Sequence, residues 1–197
     1  MAKRCFDWLA SSFGLLILSP FLILLAFWIK IDSKGPVFFR QERVGRYGKT
    51  FRIHKFRTMV TDAEKRGPQI TVGADARVTK IGHWLRKYKI DELPQLIDVW
   101  LGYMSLVGPR PEVPRYIDCY PENLRNLVLS VRPGITDKAS IEFKDENEIL
   151  GKATDHNKAY IEEVLPVKLN YYVEYVKNRT FFGDIYIILR TFFALVR

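Results

Sequence analysis

The sequence predicts an α+β fold attached to one face of a membrane: a monotopic protein with an N-terminal membrane helix, a small β-hairpin or sheet, and helices lying along the membrane interface. Three observations carry this expectation. An uncharged apolar run extends from Trp8 to Ile29, long enough to reach across a hydrocarbon core as one straight helix. Two β-rich runs around a glycine-containing turn follow it. The rest of the chain carries amphipathic helical spacing and closes in a strongly apolar segment.

The membrane segment reads "WLASSFGLLILSPFLILLAFWI". It is too long for the apolar core of a cleaved signal peptide, and no A-x-A-like site follows it. At its centre stand Ser19 and Pro20, where the missing N–H and the proline ring interrupt the helical ladder. Lys3 and Arg4 precede the run, and Lys30, Lys34, Arg40, Arg43 and Arg46 follow it. Both flanks are basic and both favour the cytoplasm, which predicts a re-entrant hairpin broken at Ser19-Pro20. A kinked spanning helix is the competing topology.

"PVFFRQERVGRYGKTFRIHKFRTM" supplies the strands, Val37 to Gln41 and Thr50 to Met59. Gly48-Lys49-Thr50 imitates the end of a P-loop, but the earlier glycine would have to stand at position 43, which is Arg43. Strand alternation places Phe51, Ile53, Lys55 and Arg57 on one face. Ala63 to Gly73 reads as loop. Val78 to Lys89 reads as a helix with Ile81, Trp84, Leu85 and Tyr88 on one side, and Arg86 falls about one turn before Asp91.

"YKIDELPQLIDVW" begins the next helix. Leu93, Leu96, Ile97, Trp100 and Leu101 form an apolar stripe expected to face a core, and Pro94 confines the helix start to its neighbourhood. Asp91 and Glu92 therefore sit at a helix N-terminus, where the simplest role for Asp91 is a cap. Farther on, Pro109 and Pro111 clamp the backbone around Arg110, a presentation suited to gripping a phosphate. "VRPGIT" presents Arg132 beside a Pro-Gly turn. The terminal "FFGDIYIILRTFFALVR" reads as an interfacial helix.

Composition bounds the chemistry. The 197 residues carry a formal net charge of +9 and are 48% hydrophobic, enough for one domain with a sizeable core. Cys5 and Cys119 stand far apart without metal-ligand spacing, which argues against a disulfide framework and a zinc site. The basic surplus implies an anionic partner: nucleic acid, an anionic membrane surface or a phosphorylated substrate. Lys55, Arg57, Arg86, Arg110 and Arg132 around one acidic pair describe a phosphate site with a carboxylate in it. An ionised carboxylate attacks phosphorus without a base to deprotonate it, and a divalent metal would relieve the repulsion between the two anions. A membrane-associated binding protein accounts for the charge but not for the acidic pair, and a lipid-phosphate phosphatase is the enzymatic alternative.

Ser19-Pro20 in its basic-flanked segment, "HKFRTM", "KIDELPQL", "SLVGPRP" and "VRPGIT", in this order, resemble the bacterial monotopic phosphoglycosyltransferases, or polyprenyl-phosphate sugar transferases, of the short, catalytic-domain-only type. The resemblance covers nearly the whole chain. It implies transfer of a phosphosugar from a UDP-sugar to polyprenyl (undecaprenyl) phosphate, releasing UMP, as the first membrane step of glycoconjugate or exopolysaccharide synthesis. By that likeness Asp91 is the nucleophile and binds Mg²⁺, with Glu92 as its partner, and Arg86 holds phosphate. Pro109, Arg110 and Pro111 contact the nucleotide, while Lys55, Arg57 and Arg132 meet the anionic substrates. The implied organisation is a re-entrant membrane hairpin over residues 1–32, a catalytic domain over 33–180, and an interfacial helix over 181–197 belonging to the same domain. The implied partners are the donor, the lipid acceptor and membrane lipids, not nucleic acid, with homo-oligomer formation left open. The implied location is the inner membrane with the site on its cytoplasmic face. Asp137-Lys138-Ala139-Ser140 after "PGIT" departs from the Gly-Trp-Ala-Gln of many members, a difference that bears on the sugar.

Overall fold

The computed structural model describes residues 2–63, 67, 75–143 and 146–196, so the Ala63–Gly73 loop lies mainly outside the described residues. The fold is α+β, with one N-terminal apolar helix and small two-stranded sheets. The chain forms two compact units, Met1–Gln41 with Arg52–Gly102, and Glu42–Phe51 with Tyr103–Arg197.

The first unit is built on α1, Ala2–Asp32. Only 11% of its most apolar window is buried, so it is not the core helix of a water-soluble fold. Leu16, Ile17, Ile23, Leu24 and Phe27 point outward, whereas Asp7, Ser11, Leu25 and Ile29 are buried. The outward surface of α1 is largely apolar, as a helix facing lipid requires. Helical structure runs through Pro20, and the Ser19 hydroxyl donates to the Leu16 carbonyl at 2.8 Å.

Both ends of α1 are tied to other parts of this unit. Arg4 donates to the carbonyls of Val99 (2.6 Å) and Trp100 (3.0 Å) in the last turn of α3, Gln95–Leu101. A cation there complements the helix C-terminus, adding to the Gly102 N–H already on the Val99 carbonyl. At the far end, Asp32 accepts the Ile81 N–H at the start of α2, Lys80–Lys87. Leu25 and Ile29 join Phe56, Ile81 and Leu85 in one apolar cluster.

Strand β1, Phe38–Phe39, pairs antiparallel with β4, Lys55–Phe56, aligning Phe39 with Lys55. Between them, β2, Glu42–Val44, pairs with β3, Thr50–Arg52. The expected continuous strand from Thr50 to Met59 is thus interrupted at Ile53 and His54. The His54 backbone N–H turns to the Asp98 carboxylate at 2.8 Å instead of a partner strand. The shared face proposed for Lys55 and Arg57 is lost with it, since Phe56, Arg57 and Thr58 are consecutively buried. Arg57 is 4% exposed and donates to the carbonyls of Ser33 (2.8 Å), Lys34 (3.0 Å) and Pro36 (2.6 Å), closing the exit from α1. Burial pulls its guanidinium below the usual arginine range, and Asp32 pulls it back up.

The stripe expected to face a core on α3 is also turned. Trp100 and Leu101 are exposed at 45% and 48%, while Gln95, Asp98 and Val99 are buried. Leu96 lies against Gly14 of α1, where an added Cβ would come within 3.3 Å of its methyl. Beside a helix whose outer surface is apolar, outward aromatic and aliphatic side chains are not penalised as they are in water.

In the second unit, β5, Ser105–Val107, lies parallel to β6, Gly134–Thr136. The remaining helices are α4 (Pro114–Ile117), α5 (Glu122–Val128), α6 (Lys138–Glu142), α7 (Glu146–Lys152), α8 (His156–Ala159), α9 (Leu165–Asn178) and α10 (Phe181–Val196). One π turn, Tyr160–Val164, leads into α9. Tyr175 of α9 donates to the Val107 carbonyl and pairs with Asp184 of α10, so two helices are pinned at the parallel pair. The outer face of α10 exposes Phe182, Tyr186, Leu189, Phe192 and Phe193.

Close approach sets this pair of strands. A Cβ on Gly134 would stand 2.1 Å from the Gly108 nitrogen and 2.5 Å from its oxygen, and one on Gly108 would meet the Arg132 carbonyl at 2.5 Å. All of these are backbone atoms, which have nowhere to move. Gly134→Ala is therefore expected to destabilise the fold by about 3 kcal/mol. In detergent that is a fall in melting temperature of roughly 6 to 12 °C. An unchanged melting curve would show that the strands can separate at no cost.

Candidate active site

The acidic pair is placed by a short sequence of breaks. Thr79 caps α2 by accepting the Gly82 N–H at 3.1 Å. The helix ends at Lys87, and Lys89 adopts a left-handed conformation, φ 55°. A 3₁₀ turn over Ile90–Glu92 follows, and Pro94, which has no N–H to place, begins α3. Asp91 therefore lies in the turn ahead of the helix. Pro94 holds the N-cap position of α3 and makes no side-chain cap bond, and Asp91 stands three residues ahead of it.

Its carboxylate instead meets a cation. Lys55 Nζ is 2.8 Å from Asp91 Oδ2 and 3.2 Å from Glu92 Oε1, one ammonium bridging both acids. Asp91 is 2% exposed. Its other oxygen, Oδ1, is buried without a hydrogen-bond partner. A buried carboxylate oxygen left unpaired is costly, so one in a native fold calls for an external group to complete it. The sequence reading set Lys55 on the anionic substrates, and its ammonium lies against the two acids.

Arg86, in the last turn of α2, donates through Nε to the Thr58 hydroxyl at 2.8 Å. Burial pulls its guanidinium down, while the charges of Asp91 and then Asp75 pull it up. Arg86 thus senses the Asp91 carboxylate from a position fixed by β4 and α2 together. Thr58 holds a second constraint on α2: a Cβ at Gly82 would overlap its carbonyl oxygen at 2.1 Å.

Two further motifs meet in the second unit. Gly134 donates to the Pro109 carbonyl at 2.9 Å, which sets "GPRP" beside "RPG" and brings the Arg110 and Arg132 segments together. Pro109 and Pro111 are buried and Arg110 is part-exposed between them. The loop is braced from behind: Arg43 donates to the Pro111 carbonyl at 2.9 Å, and Glu112 accepts from Tyr160 Oη at 2.6 Å. Burial pushes the Asp137 carboxyl up, and the two bonds from Ser140, then the charge of Arg110, pull it partly back down.

Asp137 and Asp98 are among the buried acids that residue-by-residue reading missed. Asp137 caps α6 by accepting the Ser140 N–H, a role its spacing to Ser140 would have revealed. Asp98, fully buried on α3, bonds His54 at 2.7 Å through the ring and again through the backbone. Nothing local marks that pair, because 44 residues separate its members.

An α+β chain with a long, outward-apolar N-terminal helix and two adjacent carboxylates on one lysine has the features of a membrane-associated protein with an acidic site. The chain belongs to the bacterial sugar transferase family, which it matches over residues 1–197. It is 37% identical over 191 residues to the UDP-N-acetylgalactosamine-undecaprenyl-phosphate N-acetylgalactosaminephosphotransferase of Aeromonas hydrophila, covering 96% of this chain and 42% of that protein. It is 36% identical over 197 residues to the UDP-glucose:undecaprenyl-phosphate glucose-1-phosphate transferase of Escherichia coli K12, covering 98% and 40%. With the exopolysaccharide production protein ExoY of Rhizobium meliloti it shares 32% identity over 206 residues, covering 97% and 84%. The chain thus spans about two fifths of the length of the first two of these relatives.

Proposed function

We propose that this protein transfers a sugar-1-phosphate from a UDP-sugar to undecaprenyl phosphate, with Asp91 as the attacking group. The observation that carries the proposal is the state of Asp91: one oxygen neutralised by Lys55, the other buried and unpaired, in a member of the sugar transferase family. Asp91 Oδ1 attacks the phosphorus that bears the sugar. The bond from that phosphorus to the bridging oxygen breaks, and UMP leaves with that oxygen. An oxygen of the lipid phosphate then attacks the same phosphorus and breaks its bond to Asp91, giving the polyprenyl-diphosphosugar and restoring the carboxylate. Arg86 holds phosphate charge, and in the second unit the proline-flanked Arg110 is a candidate anion contact, with Arg132 on the adjoining segment. The contacts of Arg57 support a structural role at the end of α1.

The Asp91 carboxylate and Glu92 are the groups that would hold Mg²⁺. Among the described residues no group of three or more His, Cys, Asp or Glu side chains gathers as a metal site, so substrate oxygens and water would have to complete the ion's shell. When bound, the ion neutralises charge on the diphosphate.

The membrane arrangement follows from α1. Arg4 and Asp32, near its two ends, bind α3 and α2 of the same unit, an attachment that supports a re-entrant helix with both ends on the cytoplasmic face and Ser19-Pro20 at its deepest point. The apolar outer face of α10 supports an interfacial position for residues 181–197. Single cysteines placed near Lys3 and near Lys34 are expected to react with an impermeant reagent from the same side of the membrane. Labelling from opposite sides would establish a spanning helix.

The reaction is tested by incubating the purified protein with UDP-glucose, UDP-N-acetylglucosamine and UDP-N-acetylgalactosamine in turn, with Mg²⁺ and undecaprenyl phosphate. UMP release with one donor, and its loss on chelation, is the expected result. No UMP from any of them would overturn the proposal for these donors.

A further inference from the structure

His54 occupies a junction of three elements in the first unit. Its backbone N–H and its ring Nδ1 both bond Asp98 of α3, at 2.8 and 2.7 Å. Its Nε2 stands 2.6 Å from Arg40 Nη1, just after β1, and the same guanidinium donates to the Arg52 carbonyl through Nη2. Phe38 of β1 meets the ring edge-on at 5.9 Å. Arginine has only N–H groups to offer, so Nε2 accepts and the ring proton sits on Nδ1, donated to Asp98. The chain of donors runs one way, from Arg40 to His54 to Asp98.

The next residue is Lys55. Asp98 rides on the helix that begins directly after the acidic turn, and Arg40 directly follows Phe39, the β1 partner of Lys55. Burying a carboxylate as completely as Asp98 is costly unless it is bonded. Burial pushes its carboxyl up, and the two bonds from His54 pull it back down. That bonding serves none of the proposed chemical steps, but it ties the carrier of Lys55 to the carrier of Asp91 and Glu92.

We infer that His54 is a positioning residue: bonded to Asp98 and Arg40, it locks the start of β4 to α3 and so holds the Lys55 ammonium on the Asp91 and Glu92 carboxylates. This rests on Asp91 being the reacting group. A lysine stem is flexible, so the position of its Cα decides whether one ammonium reaches both acids. Displacement of about 1 Å in a reacting constellation is enough to cost up to roughly a hundredfold in rate.

The test compares three variants of the full chain in UMP release with donor, Mg²⁺ and undecaprenyl phosphate. His54→Leu removes both ring bonds. His54→Asn keeps a donor where Nδ1 stood, and His54→Gln keeps a polar atom where Nε2 stood but cannot reach Asp98. The expected result for His54→Leu and His54→Gln is a kcat lower by about tenfold with donor KM changed less than about threefold, and for His54→Asn a kcat within about threefold of wild type. Melting temperatures are measured alongside. Should His54→Leu fail to fold, the Asn and Gln variants decide the matter by themselves. Equal rates for Asn and Gln, a loss confined to KM, or a loss that follows melting temperature across the variants would overturn the positioning role. An active Asp91→Asn enzyme would overturn the functional reading beneath it, whereas unaffected His54 variants beside an inactive Asp91→Asn enzyme would overturn the positioning role alone.

Discussion

Asp91→Asn is expected to abolish turnover, by at least about 10³-fold in kcat, while leaving the fold intact. The amide keeps the shape of the carboxylate, and Lys55 retains Glu92 as its partner at 3.2 Å. What is lost is the charge on the oxygen that has no partner in the folded protein. The decisive measurement omits the lipid: labelled UDP-sugar and Mg²⁺ are added to wild type and variant, followed by intact-protein mass spectrometry. Wild type should carry one phosphosugar on Asp91 and release an equal amount of UMP, and Asp91→Asn should do neither. Were UMP to appear only with undecaprenyl phosphate present, and the Asn variant to stay active, the lipid phosphate would be attacking the donor directly.

Lys55→Met has the second-largest expected effect, and it bears on stability as well as rate. The substitution leaves two adjacent carboxylates without their shared cation, one of them 2% exposed. Removing one partner of a buried ion pair costs about 3 to 5 kcal/mol, because the remaining charge stays desolvated and unpaired. A loss of about 10² to 10³ in kcat is expected, together with a lower melting temperature. Glu92→Gln in the Lys55→Met background should recover part of the melting temperature by removing like-charge repulsion, but not the rate. Two variants with independent, additive effects would mean that Lys55 does not act on the pair as a unit.

The features legible in the sequence were the local ones. The uncharged run with Ser19-Pro20, the stop and restart around Pro94, and the proline-flanked Arg110 each lie within a few residues, where backbone chemistry alone constrains the chain. The placement of Asp91 and Glu92 at a turn ahead of a helix was legible for the same reason, because Pro94 confines the helix start. The convergence of Lys55 on that turn was not legible. It depends on β1 and β4 pairing across the intervening β2 and β3, and on α3 receiving His54 through Asp98.

Arg57 shows the opposite failure. Alternation placed it beside Lys55, yet a bend in the strand turned it onto the carbonyls of Ser33, Lys34 and Pro36, just after α1. Carbonyls of a buried connection must find donors from somewhere, and which arginine supplies them is decided by where the chain passes in space.

By itself, then, the sequence determined that this chain is anchored by an apolar N-terminal helix, that its strands and helices make an α+β fold, and that one acidic pair stands at a break ahead of a helix. Tertiary structure decided which face of each helix turns inward. Periodicity identifies an apolar stripe but not the medium it meets, and beside an apolar anchor the aqueous rule reverses: Trp100 and Leu101 face out while Gln95 and Asp98 are buried. It also decided the electrostatics of the site, because a cation 36 residues away in sequence, Lys55 against Asp91, becomes a 2.8 Å partner only when the sheet and the helix close on each other.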